Sequence, residues 1–276
     1  MLILGNLALR EKISQLILDK KKEGVFLFYG PEGVGKFTFA KVLAQNFDPH
    51  DRLIFENGIL IDDLRKDIKN FLMTKPLYDR KIIIINDFQK TNVVTQQAFL
   101  KTLEEPQVKS VIILISSNLS SVLKTIQSRA QVFRFHLVDR GEIKIFFKNQ
   151  GYDEKNLETA LFIYPHQPGL VKKILESNFL EFINKFSNTR NIENIKKIID
   201  AKEDDQEESG EKFKTLLIYL IQKEREKIKE QFNLKSFPDI KSYQRLNFLT
   251  NLYYLTQYYS LNLKIQLFNL FLQYYD

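Results

Sequence analysis

Apolar residues along this chain fall into two regimes, and the change-over lies near residue 137. Before it, short unbroken apolar runs recur at Val25–Tyr29, Lys81–Ile85 (KIIII) and Val111–Ile115 (VIILI). None alternates with polar residues, so each predicts a strand covered on both faces, as in a parallel sheet. Val132–Phe135 and the short Leu53–Phe55 add two more. Leu9, Ile13, Leu16 and Ile17 recur at helical spacing within residues 6–22. Further helices are predicted over Phe37–Asn46, Ile61–Met73 and Val93–Leu103. Strands alternating with helices predict an α/β domain with a parallel sheet over residues 1–137.

Beyond that point the strand pattern stops. Residues 138–180 predict short helices, broken around Gly151 and at Tyr164–Gly169 (YPHQPG). Residues 181–276 predict a wholly helical domain, interrupted at Ser236–Pro238, with the charged run KEDDQEESGEK at 202–212 as a solvated loop. From Phe248 onward the tail is rich in Phe and Tyr. Such a stripe serves either as a helix–helix interface or as a platform for stacked bases.

The 276 residues carry a formal net charge of +7, most of it in residues 1–137. That excess permits contact with nucleic acid or an acidic protein, and it is equally a solvated surface. The chain has no cysteine, which excludes disulfides, cysteine-based zinc sites and thiol nucleophiles. His50, His136 and His166 are scattered without metal-ligand spacing, so no metal site is expected. The start, MLILGNLALREK, is too short an apolar run for a signal peptide, and no stretch reaches the length of a membrane span. A cytoplasmic location is the expectation.

The chemistry concentrates after the first strand, in YGPEGVGKFTFAK (29–41). Strand, glycine loop, helix is the context of a phosphate-binding loop, whose backbone N–H groups converge on an anion. Gly30, Pro31, Gly33, Val34 and Gly35 form the loop, and Lys36 supplies the charge. The next position normally offers a hydroxyl to a magnesium ion, but here it is Phe37. Thr38 lies one residue further, turned roughly 100° away on a helix. A second departure follows KIIII. Counted from the strand end, Asn86 stands where an acid holds the metal and Asp87 where an acid polarises water. In a shifted frame Asp87 is the metal acid and Phe88 the failed base. Either frame damages the site. Holding ATP or ADP without turnover and a purely structural loop are the two uses left open.

Four segments then carry a resemblance: ILIDDLRKDIKNF (59–71), LKTLEEP (100–106), SSN (116–118) and LKTIQSRAQVFRF (123–135). In this order they resemble the clamp-loader branch of the AAA+ ATPases, above all the delta prime subunits of bacterial DNA polymerase III, over most of residues 5–137. The resemblance implies a P-loop AAA+ domain (1–137), a small helical lid (138–180) and an all-α collar (181–276). It implies Arg129, in Ser128-Arg129-Ala130, as an arginine finger reaching the ATP site of the next subunit. Ser116 or Ser117 falls at the sensor-1 position. Lys172 and Lys173, after the Pro168-Gly169 turn, stand where a sensor-2 arginine often lies. The Glu104-Glu105 pair is read as structural. The four-cysteine zinc module usual in these subunits is missing, with only Phe47–Phe55 spanning the gap, so no zinc is expected. Gamma/tau and delta subunits are the implied partners, with the sliding clamp and primer-template DNA reached through the complex. An ATP-hydrolysing gamma/tau-type motor and a DNA-binding AAA+ relative are the alternatives.

Overall fold

A computed structural model describes residues 3–19, 23–104, 108–188, 206–233 and 239–258. The described chain divides into two compact units: residues 1–146 with 166–170, and residues 147–165 with 171–276.

The first unit runs α1 (Leu7–Leu18), β1 (Gly24–Tyr29), α2 (Lys36–Ala44), β2 (Arg52–Phe55), α3 (Ile61–Asp63), a π turn over Leu64–Ile68, and α4 (Lys69–Met73). Then follow β3 (Lys81–Ile85), α5 (Val93–Glu104), β4 (Ser110–Ser116), α6 (Lys124–Gln127) and β5 (Ala130–Arg134). The five strands form one parallel sheet in the order β2-β3-β4-β1-β5. The five predicted strands are all present. The helix predicted over 61–73 carries the π turn in its middle, and α6 is an element the apolar spacing did not reveal.

The unalternating runs have the expected cause. Every residue of β3 and β4 is buried. Because side chains alternate across a strand, each run feeds two cores. Phe26 and Phe28 of β1 join Ile82, Ile84, Ile113 and Ile115 against Ile13, Ile17, Phe39 and Leu43 of α1 and α2. Val25 and Leu27 join Ile83, Ile85, Ile112 and Leu114 against Leu64, Ile68, Phe99 and Leu103. On the first face Phe28 lies within 5.4 Å of the Phe135 ring, 6.1 Å of Phe39 and 6.2 Å of Phe133, centroid to centroid.

The second unit holds α7 from Phe147 onward (the helix is Arg140–Asn149), α8 (Glu154–Ile163), most of α9 (Pro168–Glu176), α10 (Phe179–Asn188), α11 (Gln206–Asn233) and α12 (Ile240–Tyr258). The predicted breaks around Gly151 and at Tyr164–Gly169 separate these helices, except that Pro168 and Gly169 already open α9. α11 packs along α12 and α8, burying Phe213, Leu216, Leu217 and Leu220. The solvated loop expected at 202–212 is corrected here. Residues 206–212 are the first turns of α11. Residues 202–205, the interruption at Ser236–Pro238 and the tail beyond Tyr258 lie outside the described residues. None of the described helices is long and apolar enough to cross a membrane.

Phe28→Ala should destabilise the first unit by about 3–5 kcal/mol, the usual cost of emptying a buried phenylalanine site. Urea unfolding measures it, and a loss below about 1 kcal/mol would contradict the central place given to this ring.

Candidate functional site: a phosphate loop closed on itself

The site lies at the carboxyl end of β1, flanked by β4 and β5, the place where parallel sheets of this kind bind ligands. The chain leaves β1 through Gly30, whose φ of +143° and whose closeness to the carbonyl oxygen of Phe135 exclude any side chain. Gly33 and Gly35 also have positive φ, which glycine adopts without steric cost. Gly30 N–H donates to the Ser116 carbonyl at 3.3 Å, tying the loop to β4.

Lys36 does not project outward. It is 7% exposed, and its ammonium donates to the carbonyls of Gly30 and Pro31, both at 2.6 Å. The loop thus binds its own cation. Three further contacts close it. Gly169 N–H donates to the Gly33 carbonyl at 2.7 Å. The Leu170 side chain stands where a Cβ on Gly33 would lie, 2.8 Å away. Gln167 donates to the Glu32 carbonyl at 3.2 Å. From the other end of the chain, Asn6 clamps the backbone of His136 with two hydrogen bonds of 3.0 and 2.8 Å. Ile3 then packs on the core beside α2 and lies 3.1 Å from a Cβ built on Gly35. The apolar spacing gave no sign of this arm or of the 166–170 contact, since both depend on residues more than a hundred positions away.

The metal corner is rebuilt as well. Phe37 packs against the core of the first face, and the Lys41 ammonium sits 4.4 Å from its ring centroid. An aromatic ring offers no oxygen to a divalent metal where a hydroxyl would hold one. Thr38 is half-buried one residue along α2. Asn86 donates its side-chain amide to the Glu56 carbonyl at 2.9 Å and uses its backbone to join β2 and β3. Asp87, in the left-handed region with φ +49°, pairs with Lys90 at 3.1 Å and accepts from Gln89 at 3.1 Å. Phe88 is fully buried, so neither frame leaves an acid free of other partners. Among the described residues no group of three or more His, Cys, Asp or Glu side chains is placed to hold a metal. Phe37 supplies no oxygen ligand and Asn86 only a neutral one, so these two positions suit a magnesium nucleotide poorly.

The two serines divide their work. Ser116 is buried, and its hydroxyl is used within its own turn, donating to the Asn118 carbonyl at 2.8 Å. Ser117 is exposed, and its N–H donates to Gln89 at 3.1 Å. Gln89 thereby links the strand-end acid to the serine turn. Gln96, 1% exposed, likewise ties the starts of α5 and α6 through Thr91, Ser121 and Leu123. Sequence reasoning passed over both glutamines, because a lone Gln carries no pattern. Lys172 and Lys173 pair with Glu176 and Glu211, all within the second unit.

Arg129 stands apart from the loop chemistry, in the turn between α6 and β5. Its guanidinium meets Glu104 at 2.5 Å and the Thr125 carbonyl at 2.8 Å, with the side chain 38% exposed. Glu105 lies outside the described residues.

Comparison with known proteins places these observations. The family described as DNA polymerase III, delta subunit, matches residues 54–139, a span that holds Asn86, Asp87, Glu104, Ser116, Ser117 and Arg129. Replication factor C subunit 4 of Encephalitozoon cuniculi is 30% identical over 146 residues, 51% of this chain and 47% of that protein. The replication factor C small subunit of Methanothermobacter thermautotrophicus is 27% identical over 212 residues, 67% of this chain and 65% of that one. The chain spans about half the length of several such relatives. In structure it is similar to a DNA polymerase III gamma subunit-related protein from Thermotoga maritima, with a TM-score of 0.65, 21% identity, and 95% and 97% of the two chains covered. It also shares the fold of a variant of Thermotoga maritima RuvB (TM-score 0.51, 13% identity, 75% and 74% covered).

Burial lowers the pKa of Lys36 from 10.5 to about 8, against the opposing pull of the Glu32 and Asp87 carboxylates. Between those two values the unfolded chain binds more protons than the folded one. The contribution of this site is therefore full above 10.5 and is lost as pH falls through about 8. Relative to Lys36→Met, the wild type should gain on the order of 2 kcal/mol between about pH 7.5 and about pH 10 in urea unfolding. An unchanged difference between the two proteins would contradict a buried, self-bound lysine.

Proposed function

We propose that the chain belongs to the AAA+ clamp-loader family and serves there as a stator-like subunit of the delta prime type. In this role it does not turn over ATP at its own loop. It joins gamma/tau-type and delta-type subunits in a hetero-oligomer that opens a sliding clamp and places it on primer-template DNA. Arg129 reaches the ATP site of a neighbouring motor subunit. There its permanently charged, planar guanidinium grips the γ-phosphate oxygens as negative charge shifts toward the leaving group. The functional division into an AAA+ domain (1–137), a lid (138–180) and a collar (181–276) is part of the same proposal.

One observation carries this reading. Phe37, at the sequence position of the metal-holding hydroxyl, packs on the core beside Lys41, while Arg129 keeps an accessible guanidinium on the same domain. The lost and the retained chemistry are thus different halves of one ATPase site, of which a stator supplies only the second. A gamma/tau-type motor would need Thr38 and Asp87 as substitute ligands. Against that, Thr38 is displaced along α2 and Asp87 is engaged by Lys90 and Gln89.

The purified chain alone should hydrolyse no ATP above background. The complex assembled with its own gamma-type and delta-type subunits should hydrolyse ATP in the presence of clamp and primed DNA. Arg129→Ala should lower that turnover about tenfold or more while leaving the assembly intact on size-exclusion chromatography. Motor-like turnover by the isolated chain, or unchanged turnover by the Arg129→Ala complex, would overturn the assignment.

A further inference from the structure

We infer that Glu104 is a positioning residue for Arg129, an inference that rests on the arginine acting in trans as proposed above. Glu104 is the last residue of α5, and Arg129 lies in the turn that leaves α6. The fold brings them together across 25 positions of sequence, Nη2 to Oε1 at 2.5 Å. The second guanidinium nitrogen, Nη1, donates to the Thr125 carbonyl at 2.8 Å. That same carbonyl accepts from the Ser128 hydroxyl at 3.0 Å, and Arg129 N–H donates to the Ile126 carbonyl at 3.1 Å. The turn that carries the arginine is therefore itself held.

A guanidinium carries five N–H donors in one rigid plane. Two of them are anchored here, by groups from different elements, which leaves the rest of the fork for phosphate oxygens. An unanchored arginine samples many rotamers and must lose that freedom when it engages a ligand. Anchoring at two points removes part of it beforehand, which favours a charge-stabilising group. The carboxylate is also fitted to the task by being weakly held. The pair is 38% and 48% exposed, and an exposed ion pair binds too loosely to withhold the guanidinium from a phosphate. Glu104 also sits at the C-terminal end of α5, where the helix dipole favours a cation beside it. The Glu104-Glu105 pair, read from sequence as structural, thus contains in Glu104 a group with a specific partner.

The test compares steady-state ATP hydrolysis by the full assembled complex carrying wild type, Glu104→Ala, Arg129→Ala or both, with clamp and primed DNA present. Glu104→Ala should lower kcat about two- to fivefold with KM for ATP unchanged, the range an exposed ion pair converts to. It should cause no further loss in the Arg129→Ala background, because a positioning residue acts only through its partner. Should Glu104→Ala impair assembly, Glu104→Gln carries the same comparison. An impaired Arg129→Ala complex beside an unaffected Glu104→Ala complex would overturn the positioning role alone. Equal losses from Glu104→Ala in both backgrounds would also overturn it, as general damage. An unaffected Arg129→Ala complex would overturn the parent reading first.

Discussion

A buried lysine held against two carbonyls of its own loop ties together the end of the central strand in the first domain. Lys36 satisfies Gly30 and Pro31 at 2.6 Å each, and those carbonyls belong to the turn that leaves the central strand. A phosphate loop ordinarily keeps its cation for the ligand. Here the ammonium lies against its own loop, and the groups around it pack onto the same turn. Gly169 and Leu170 close over Gly33, Ile3 approaches Gly35, and Phe37 joins the core. The loop works as a clasp between β1, β4, the arm before α1 and the 166–170 segment.

That clasp separates two kinds of chemistry that a working ATPase keeps together. Nucleotide-side groups have turned inward: Asn86 to Glu56, Asp87 to Lys90 and Gln89, Ser116 to its own turn. Arg129 faces a different obligation. It is exposed, double-anchored and uninvolved in the core. In the proposed role such a group is retained without cost to stability, because an exposed ion pair contributes little to folding.

The core explains how so altered a site keeps its scaffold. Each of β1, β3 and β4 feeds side chains to both faces of the sheet, so the strand ends are positioned by several dozen buried contacts that do not depend on a bound ligand. Dispersion and burial of this kind are insensitive to which polar groups decorate the loop. Phe37 even adds to the first face.

The sequence by itself determined the strands and most helices of the first domain, since unbroken runs such as KIIII and VIILI leave only a doubly covered parallel strand. It also announced the damaged metal corner, because Phe37 and Asn86 stand at positions defined by short, local spacing. Tertiary structure alone decided the rest. The π turn at Leu64–Ile68 and the short α6 leave no distinct period. The first turns of α11 hid behind charged composition, which marks solvent exposure without distinguishing helix from loop. The self-binding of Lys36, the Gln167–Leu170 closure and the Glu104–Arg129 pair join residues 5 to 135 positions apart. Local patterns report which face of an element is apolar. They carry no information about which polar group a distant one will meet, and that is settled only when the sheet brings its strand ends side by side.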